Sequence, residues 1–482
     1  MALIAHQTAL TSVGCLETSQ ARHRTNREEL SAFTKLKLHA PPRLTPAQKA
    51  SPVSGSIQWI TESTKQNSAN RVAHYFRFFN FSIITHDAII DKQTKTQVSQ
   101  TARIPGKVVR QRSYSAFVPD PLPPKFDWNS KLVRSLSEAD RLIGKLAGEG
   151  RRLPNPHLLI RPFARAEAVL SSKIEGTQAT LGELLAAEAG IAIDRSPDDL
   201  REVANYVIAL EHGIKRLQKL PICVRLIKEL HEKLMTGVRG HHSSRGEFRT
   251  VQNWIGKPGC TPEAATFVPP PPDQVEPCLA EWENFVNTSD LPPLVTIALA
   301  HYQFEAIHPF LDGNGRVGRL LISLFLVEQQ ILPAPLLYLS AFFEASRREY
   351  YDSLRAISER GAWEDWIEYF LLGVARMSQD VLNRARRINT TIAEWQTAVA
   401  GDSTNTTLRV LELLAANPFI TANGIVEKLN VAFTTAQRAI ARLERHGVIQ
   451  QTTDARRDRV YCAKALLAIL EEPAQITPQM NG

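Results

Sequence analysis

The residues best suited to chemistry lie in one short segment, His308–Arg319, which reads HPFLDGNGRVGR. The glycines on either side of Asn314 allow positive φ angles and a close backbone approach, so the amides there can converge on an anion such as a phosphate. Arg316 and Arg319, three residues apart, can bind further phosphate oxygens with their planar guanidinium groups. The segment therefore indicates a site for a chain of phosphates.

Two further side chains of this segment add a metal ligand and a base. Asp312 supplies a carboxylate oxygen, the kind of ligand that Mg²⁺ prefers beside phosphates. His308, four residues earlier, has an imidazole whose pKa suits proton removal at neutral pH. Each feature has an ordinary explanation on its own: a structural histidine, a glycine turn or a solvated arginine pair. Together, however, the seven specified residues would match by chance with a probability on the order of one in a million.

Helices must position this segment, because helical spacing flanks it on both sides. Apolar residues recur at Val295, Leu299 and Tyr302 before it and at Val317, Leu320 and Leu324 after it. The segment is thus a loop that ends at a helix N-terminus, where the helix dipole favours an anion. Helical spacing continues over most of residues 160–385.

One stretch within this helical region differs. Residues 248–271 contain two short β-like runs, Thr250–Ile255 and Ala265–Val268, around a cluster of Gly and Pro. Such a pattern predicts a β-hairpin.

Composition excludes several classes of protein. The 482 residues are 43% hydrophobic and 22% charged, as in a globular chain of about three domains. The formal charge of +8 comes from residues 1–112, which hold 16 basic and 6 acidic side chains, so it is no argument that the rest binds nucleic acid. Five scattered cysteines indicate neither a disulfide framework nor a zinc site, and no stretch is apolar enough to cross a bilayer. We therefore expect a cytoplasmic protein without membrane contact.

The chain divides into six predicted regions. These are a basic extension over 1–102, an arm over 103–160 that contains FVPDPLPP, a helical domain over 161–385, a linker helix over 386–405, a separate unit over 406–466 and a tail over 467–482. The extension shows no sustained periodicity, and we expect little packed structure there. An over-long reading frame is the alternative explanation of this extension.

The unit over 406–466 has the pattern of a winged helix-turn-helix. Three helical segments are followed by two short strands around a polar turn. Five arginines are candidates for phosphate contacts: Arg438, Arg442 and Arg445 on the third helix, and Arg456 and Arg457 in the turn. Residues 401–482 hold 9 basic and 8 acidic side chains, however, so DNA contact, protein docking and a structural role all stay open.

The segment His308–Arg319 matches the Fic motif, H-x-F-x-(D/E)-G-N-G-R-x-x-R, at every specified position. The chain resembles bacterial Fic adenylyltransferases from about Arg103 through its C-terminal unit. The resemblance implies a mainly α fold, with a Fic-type helical core, a β-hairpin flap and a small winged helix-turn-helix domain. It also implies transfer of AMP from ATP to a Tyr, Ser or Thr hydroxyl of a protein, including the enzyme itself, with pyrophosphate leaving.

The resemblance assigns roles to individual residues. His308 would be the base for the incoming hydroxyl, and Asp312 would hold Mg²⁺ between the phosphates. The loop backbone would cradle the α- and β-phosphates, and the arginines would neutralise the charge that develops towards pyrophosphate. The implied nucleotide-binding residues are Gly313, Asn314, Gly315, Arg316, Arg319 and Tyr350. Many relatives carry Asn-Arg before the tyrosine pair, whereas Ser346 stands here, so the detail of base recognition stays open. Because aromatic pairs on helices often belong to the core, a core role for Tyr350 stays open as well.

A second pattern of the same family lies upstream. Ser171, Glu175 and Gly176 fit the Fic inhibitory pattern (S/T)-x-x-x-E-(G/N), within a predicted inhibitory helix near residues 165–176. Ser171 and Glu175 are four apart and thus share one helical face. By resemblance, Glu175 would pair with Arg319 in the place of the γ-phosphate and leave ATP in a geometry unfit for transfer.

The predicted hairpin has a role in the family as well. There it pairs with the main chain of the target, so the resemblance makes Thr266, Phe267 and Val268 candidates for docking an extended target segment by strand addition. A packing flap without a partner is the alternative.

Two other functions stay open at this point. One is a Fic-type transferase that moves phosphate or phosphocholine, against which the intact arginine pair favours AMP. The other is a winged-helix transcription regulator in which the Fic unit senses nucleotide. The sequence leaves open which protein is the target and whether this protein forms a homodimer.

Overall fold

The computed structural model describes residues 104–152, 156–193, 197–238, 244–452 and 458–475. The basic extension predicted over 1–102 lies outside these residues. Most of the described chain is helical, as expected. The helices are α1 (Ser130–Arg152), α2 (Pro156–Ile174), α3 (Leu181–Glu188), α4 (Pro197–Arg216), α5 (Val224–Leu234), α6 (Pro272–Thr288), α7 (Pro293–Ile307), α8 (Asn314–Glu328), α9 (Ser340–Ala345), α10 (Arg347–Arg360), α11 (Trp363–Val399), α12 (Asn405–Ala416), α13 (Ala422–Leu429), α14 (Phe433–Arg445) and α15 (Lys464–Glu471).

Helices α7 and α8 form the centre of the core. Nearly every residue of both helices is buried, and apolar residues occur on all their sides, as expected of helices surrounded by others. The loop that joins them carries the motif, so its two ends are fixed by two almost fully buried helices. Around this pair lie α2, α4 and α5 on the N-terminal side of the chain, and the 37-residue helix α11, which packs along α1.

The helix that precedes the inhibitory glutamate is α2, which ends at Ile174. Glu175 and Gly176 form the turn after it, and Gly176 has a φ of 107°, a value that glycine adopts without strain. Thr180 then caps α3 through a reciprocal pair of bonds with Glu183. Glu175 therefore lies in a short connection between two helices, directly after the end of α2.

Two small antiparallel sheets complete the fold. Strands β1 (Gly106–Arg110) and β2 (Ser115–Pro119) pair with each other, so part of the predicted extended arm is a strand. Strands β3 (Phe419–Thr421), β4 (Gln450–Gln451) and β5 (Val460–Cys462) form a second sheet in the order β3-β5-β4. The three helices α12 to α14 and this sheet confirm the winged helix-turn-helix prediction.

The predicted hairpin is shorter than expected. Thr250–Ile255 and Ala265–Val268 meet at one β-bridge, between Ile255 and Phe267, and do not form two strands. The prolines that follow Val268 have no N–H to continue a ladder, and a 3₁₀ turn over Pro262–Ala264 occupies the tip. We call residues 248–271 the flap.

Two predicted boundaries also differ. The border between a catalytic domain and a linker helix, set at residue 385, falls inside α11, which continues unbroken to Val399. Helix α15 extends beyond residue 466 into the predicted tail. Among the described residues, no helix combines the length and the apolar character needed to cross a membrane.

The winged helix-turn-helix packs directly against the helices around the inhibitory turn. The Asn417 side chain donates to the Leu185 carbonyl at 2.9 Å, and the Gly182 amide donates to Glu471 Oε1 at 2.9 Å. Helix α12 also packs against α2. One continuous buried cluster runs through both parts.

Candidate active site

The motif loop begins at a strained residue. His308 directly follows α7 and has a φ of 49°, in the left-handed region that is uncommon for residues other than glycine. Arg249 from the flap holds this conformation, because its Nε donates to the His308 carbonyl at 2.9 Å and its Nη2 donates to the Pro270 carbonyl at 2.5 Å. Arg249 is 3% exposed. The flap and the motif loop are thus joined by one buried guanidinium group.

The imidazole of His308 is prepared to act as a base. Its Nδ1 lies 3.2 Å from the Glu305 carbonyl oxygen, which can only accept a hydrogen bond. Nδ1 therefore carries the proton, and Nε2 keeps a lone pair that can take one. Burial lowers the pKa of His308 to about 4, so the ring is neutral at physiological pH.

Asn314 holds the loop from within. Its side-chain oxygen accepts from the Phe310 amide and its side-chain nitrogen donates to the Phe310 carbonyl, both at 2.8 Å. The side chain thus shapes the loop through one bond from its nitrogen and one to its oxygen. Phe310 is fully buried, and its ring stacks on His231 at 3.7 Å between centroids.

Asp312 is placed as a candidate metal ligand. Its Oδ1 accepts from the Gly313 amide at 2.6 Å, and its side chain is 45% exposed. His231 supports the backbone of Asp312. The Gly246 amide donates to His231 Nδ1, and His231 Nε2 donates to the Asp312 carbonyl at 3.1 Å. Within the described residues no group of three or more His, Cys, Asp or Glu could hold a metal ion. A lone carboxylate suits Mg²⁺ that arrives with phosphate oxygens.

The N-terminus of α8 is the candidate anion site. Gly313 precedes the helix with a φ of 79°, and the first amides of α8 lack partners within the helix. Arg316 in the first turn is 3% exposed, and its Nη1 donates to Glu202 Oε2 at 2.9 Å. Its Nε is buried without a hydrogen-bond partner among the described residues. The site therefore has unused donors as well as a positive helix end.

Arg319 meets both polar residues of the inhibitory pattern. Its Nε donates to Ser171 Oγ at 3.0 Å, and its Nη2 donates to the Ser171 carbonyl at 2.9 Å and to Glu175 Oε1 at 2.6 Å. Arg319 is 1% exposed in its side chain, whereas Glu175 is 34% exposed. Burial acts to raise the pKa of Glu175, but the Arg319 guanidinium outweighs it and holds this pKa below its usual value. Glu175 is thus charged at neutral pH, beside the candidate anion site.

Gly315 explains how the carboxylate comes so close. A Cβ added at Gly315 would overlap Glu175 Oε1. Gly176, the last residue of the inhibitory pattern, lies in the turn after α2. A Cβ added at Gly176 would have no other atom within 4 Å.

The structure places Tyr350 in the core. The residue is 1% exposed, its ring stacks on Phe343 at 4.5 Å, and its hydroxyl lies 2.8 Å from His301 Nε2. This position is not the wall of an open pocket, so the structure does not support contact between Tyr350 and adenine. The neighbouring Tyr351 is 45% exposed.

Some backbone groups of the candidate docking residues in the flap already form hydrogen bonds within the protein. Phe267 exchanges backbone bonds with Ile255, and the Val268 carbonyl accepts from the Phe117 amide of β2 at 2.8 Å. Val268 is buried and Thr266 is exposed. No backbone bond within the described residues uses the Thr266 carbonyl or the Val268 amide.

The winged helix-turn-helix presents fewer free arginines than expected. Asp402 pairs with Arg442 at 3.4 Å and with Arg445 at 2.8 Å, so only Arg438 of the three on α14 is exposed and has no ion pair among the described residues. Arg456 and Arg457 lie outside the described residues.

Three supporting residues were not found from the sequence: Arg249, Glu202 and His231. Each lies far along the chain from the residue that it contacts and belongs to no motif that we identified. Of the three, His231 alone had a signal in the sequence: it is a polar residue at an otherwise apolar position of α5.

Comparisons with known proteins find related sequences and structures. Residues 133–215 match the model described as Fic/DOC family N-terminal, residues 221–326 match Fic/DOC family, and residues 404–450 match Winged helix-turn-helix DNA-binding. The protein adenylyltransferase Fic of Drosophila willistoni is 31% identical over 194 residues, which cover 39% of this chain and 35% of that protein. The same protein of Drosophila grimshawi is 31% identical over 194 residues and is covered to 36%. The match spans about a third of the length of these curated relatives.

Solved structures also resemble this chain. A Fic family protein from Desulfovibrio desulfuricans G20 has a TM-score of 0.48 and 20% identity, over 71% of this chain and 98% of that chain. Fic-1 from C. elegans, residues 134–508, has a TM-score of 0.40 and 21% identity, over 53% of this chain and 73% of that chain. On the sequence matches, the chain contains the N-terminal and Fic domains of the Fic/DOC family, followed by a winged helix-turn-helix domain.

Proposed function

We propose that this protein transfers AMP from ATP to a Tyr, Ser or Thr hydroxyl of a protein substrate, including itself, and that Glu175 restrains the transfer. One observation carries the proposal: a neutral imidazole with a free Nε2 lies in the same short loop as a helix N-terminus lined by two arginines. The name of the curated relatives, protein adenylyltransferase Fic, supports AMP as the transferred group.

The proposed reaction uses each group of the loop. His308 Nε2 takes the proton of the acceptor hydroxyl while its oxygen forms a bond to the α-phosphorus of ATP. The bond from the α-phosphorus to the bridging oxygen breaks, and its electron pair leaves on pyrophosphate. The α8 amides and the guanidinium groups of Arg316 and Arg319 stabilise the negative charge that moves onto the leaving group. The unpartnered Nε of Arg316 supports this role, because a buried donor needs an acceptor.

The proposal includes Mg²⁺ as a cofactor. When bound with ATP, Mg²⁺ neutralises charge on the phosphates. Asp312 would hold it, since this carboxylate is half-exposed and adjoins the amides that face the phosphates.

Inhibition follows from competition for Arg319. The carboxylate of Glu175 is an anion already bound to the guanidinium that a terminal phosphate would need. ATP can bind productively only if Glu175 withdraws or is removed. Because Glu175 is one-third exposed and lies in a turn beyond the end of α2, it can leave without unfolding the core.

Two surfaces are proposed for partners. The Thr266 carbonyl and the Val268 amide would bind the main chain of an extended target segment, although Val268 already bonds Phe117, so the segment would gain few bonds there. The winged helix-turn-helix would contact DNA through the exposed face of α14 that carries Arg438.

The test uses the Glu175→Gly variant and ATP labelled with ³²P at either the α- or the γ-phosphate, in parallel incubations with Mg²⁺. We expect protein-bound label from α-labelled ATP alone. Protein-bound label from γ-labelled ATP would contradict AMP transfer and show phosphoryl transfer instead. No label from either nucleotide, together with tight binding of a DNA duplex, would favour a nucleotide-sensing regulator. The matched control is the same variant with His308→Ala, which should incorporate neither label.

A further inference from the structure

The end of α2, directly before Glu175, is tied to another part of the fold. The last carbonyl groups of a helix have no N–H partner within the helix. Arg347, the first residue of α10, supplies donors there, because its Nη2 donates to the carbonyls of Lys173 and Ile174. Beside these bonds, Lys173 Nζ lies 3.1 Å from Glu344 Oε1 on α9. The helix end is thus fixed to the junction between α9 and α10.

A second tie lies on the other side of Glu175. Thr177 is 7% exposed, and its Oγ1 donates to Glu202 Oε2 on α4 at 3.1 Å. The same carboxylate oxygen accepts from Arg316 Nη1 at 2.9 Å. The turn is therefore held both before and after Glu175, by residues of two different helices.

Both ties act on the backbone from which the Glu175 side chain extends. The Ile174 carbonyl belongs to the planar peptide group that includes the Glu175 nitrogen, so a shift of the backbone at Glu175 displaces this carbonyl from Arg347. Glu175 itself lies beyond the end of α2, where the helix no longer fixes the chain. A side chain on a fixed backbone gives up less conformational freedom when it binds Arg319.

We infer that Arg347 and Thr177 are positioning residues for inhibition: they hold the turn so that the Glu175 carboxylate meets Arg319, and they thereby set how strongly Glu175 competes with ATP. The inference rests on the proposed function. It places control of the site at two contacts that lie outside the loop His308–Arg319.

Three other accounts of these contacts predict different results. If Arg347 bound a phosphate of ATP, its removal would weaken ATP binding even without Glu175. If the ties only stabilised the fold, their removal would lower the free energy of unfolding and leave the ATP affinity unchanged. If Glu175 withdrew by rotation of its side chain alone, neither tie would break, and their removal would again leave the ATP affinity unchanged.

The experiment introduces Arg347→Met and Thr177→Val separately into the parent protein and into Glu175→Gly. Calorimetry measures the affinity for a non-hydrolysable ATP analogue with Mg²⁺. The control is Arg348→Met, because Arg348 is the neighbouring residue, its side chain is 96% exposed, and it pairs with Asp352 on its own helix at 3.6 Å.

In the parent protein we expect the affinity to rise about three- to tenfold for Arg347→Met and about two- to fivefold for Thr177→Val. These factors are typical of hydrogen bonds to charged groups that are partly exposed. Arg347→Lys keeps a charged donor and should give a smaller rise than Arg347→Met. In Glu175→Gly neither substitution should change the affinity by more than about twofold, since the carboxylate that the ties position is gone. Arg348→Met should have no effect in either background.

No rise in the parent protein, an equal rise in both backgrounds, or a fall in Glu175→Gly would each overturn the inference. Urea denaturation of each variant shows whether it is folded. Valine matches threonine in shape, so Thr177→Val tests the inference even if Arg347→Met loosens the fold. These affinities are read without catalysis, so absence of AMP transfer would count against the proposed function and leave this test intact.

Discussion

Removal of the Glu175 carboxylate should activate the protein, and the size of the effect can be worked out from one contact. Glu175 Oε1 lies 2.6 Å from Nη2 of an almost fully buried Arg319. A hydrogen bond to a charged group contributes about 1.5 to 3 kcal/mol, and the one-third exposure of Glu175 lowers this to about 1 to 2 kcal/mol. ATP must overcome this contact to reach Arg319. Its loss should therefore raise the rate of transfer about 5- to 30-fold at subsaturating ATP.

The assay is incorporation of α-labelled AMP by the parent protein, Glu175→Gly and Glu175→Gln. Glutamine keeps the size of the side chain and loses its charge, so we expect it to give part of the activation that glycine gives. The control is Glu188→Gln. Glu188 pairs with Arg165 at 2.8 Å and has a similar exposure, 33%, but lies outside the anion site.

The reasoning would be refuted if Glu175→Gly left the rate unchanged while the variant kept its fold. Equal activation by Glu188→Gln would also refute it, because the effect would then come from loosening α2 and not from freeing Arg319. Circular dichroism of each variant separates these cases from unfolding.

The remaining predictions concern the base, its pKa and the flap. His308→Ala should abolish AMP transfer and leave the calorimetric ATP affinity within about threefold, because the base acts on the acceptor hydroxyl; normal turnover would exclude His308 as the base. Because burial lowers the pKa of His308 to about 4, activity falls only as the pH approaches that value. Glu175→Gly should thus be about as active at pH 5 as at pH 7, whereas an enzyme whose base is an ordinary histidine with a pKa of about 6.5 would lose about 25-fold in activity. Arg249→Met should lower the free energy of unfolding by about 3 kcal/mol in urea denaturation, since it leaves several buried carbonyls unpaired. A decrease below about 1 kcal/mol would contradict the claim that Arg249 holds the flap and the motif loop together.

The sequence predicted those parts of the site that depend on local spacing. The loop between two helices, the glycines at the start of α8 and the helix end that carries Glu175 all follow from patterns within about a dozen residues. The contact between Glu175 and Arg319 came from the resemblance to the Fic family, and the structure confirms that the two side chains meet. Its inhibitory effect stays a prediction.

The parts that the sequence did not predict depend on tertiary packing. Glu202 and Arg316 are 114 residues apart, and Arg249 and His308 are 59 apart, so nothing local indicates that they meet. The flap was expected as a hairpin because its β-branched and aromatic residues favour strands, but the prolines after Val268 cannot donate to a ladder. The burial of Tyr350 depends on α7, α9 and α11, which enclose it from outside its own helix.

The most direct test of the account is a crystal structure of the Glu175→Gly variant with a non-hydrolysable ATP analogue and Mg²⁺. We predict that the phosphates lie along the N-terminus of α8, with Arg319 on the terminal phosphate and the α-phosphorus facing His308 Nε2 across a gap that one hydroxyl group can fill. Phosphates bound elsewhere, or an α-phosphorus turned away from His308, would contradict the account.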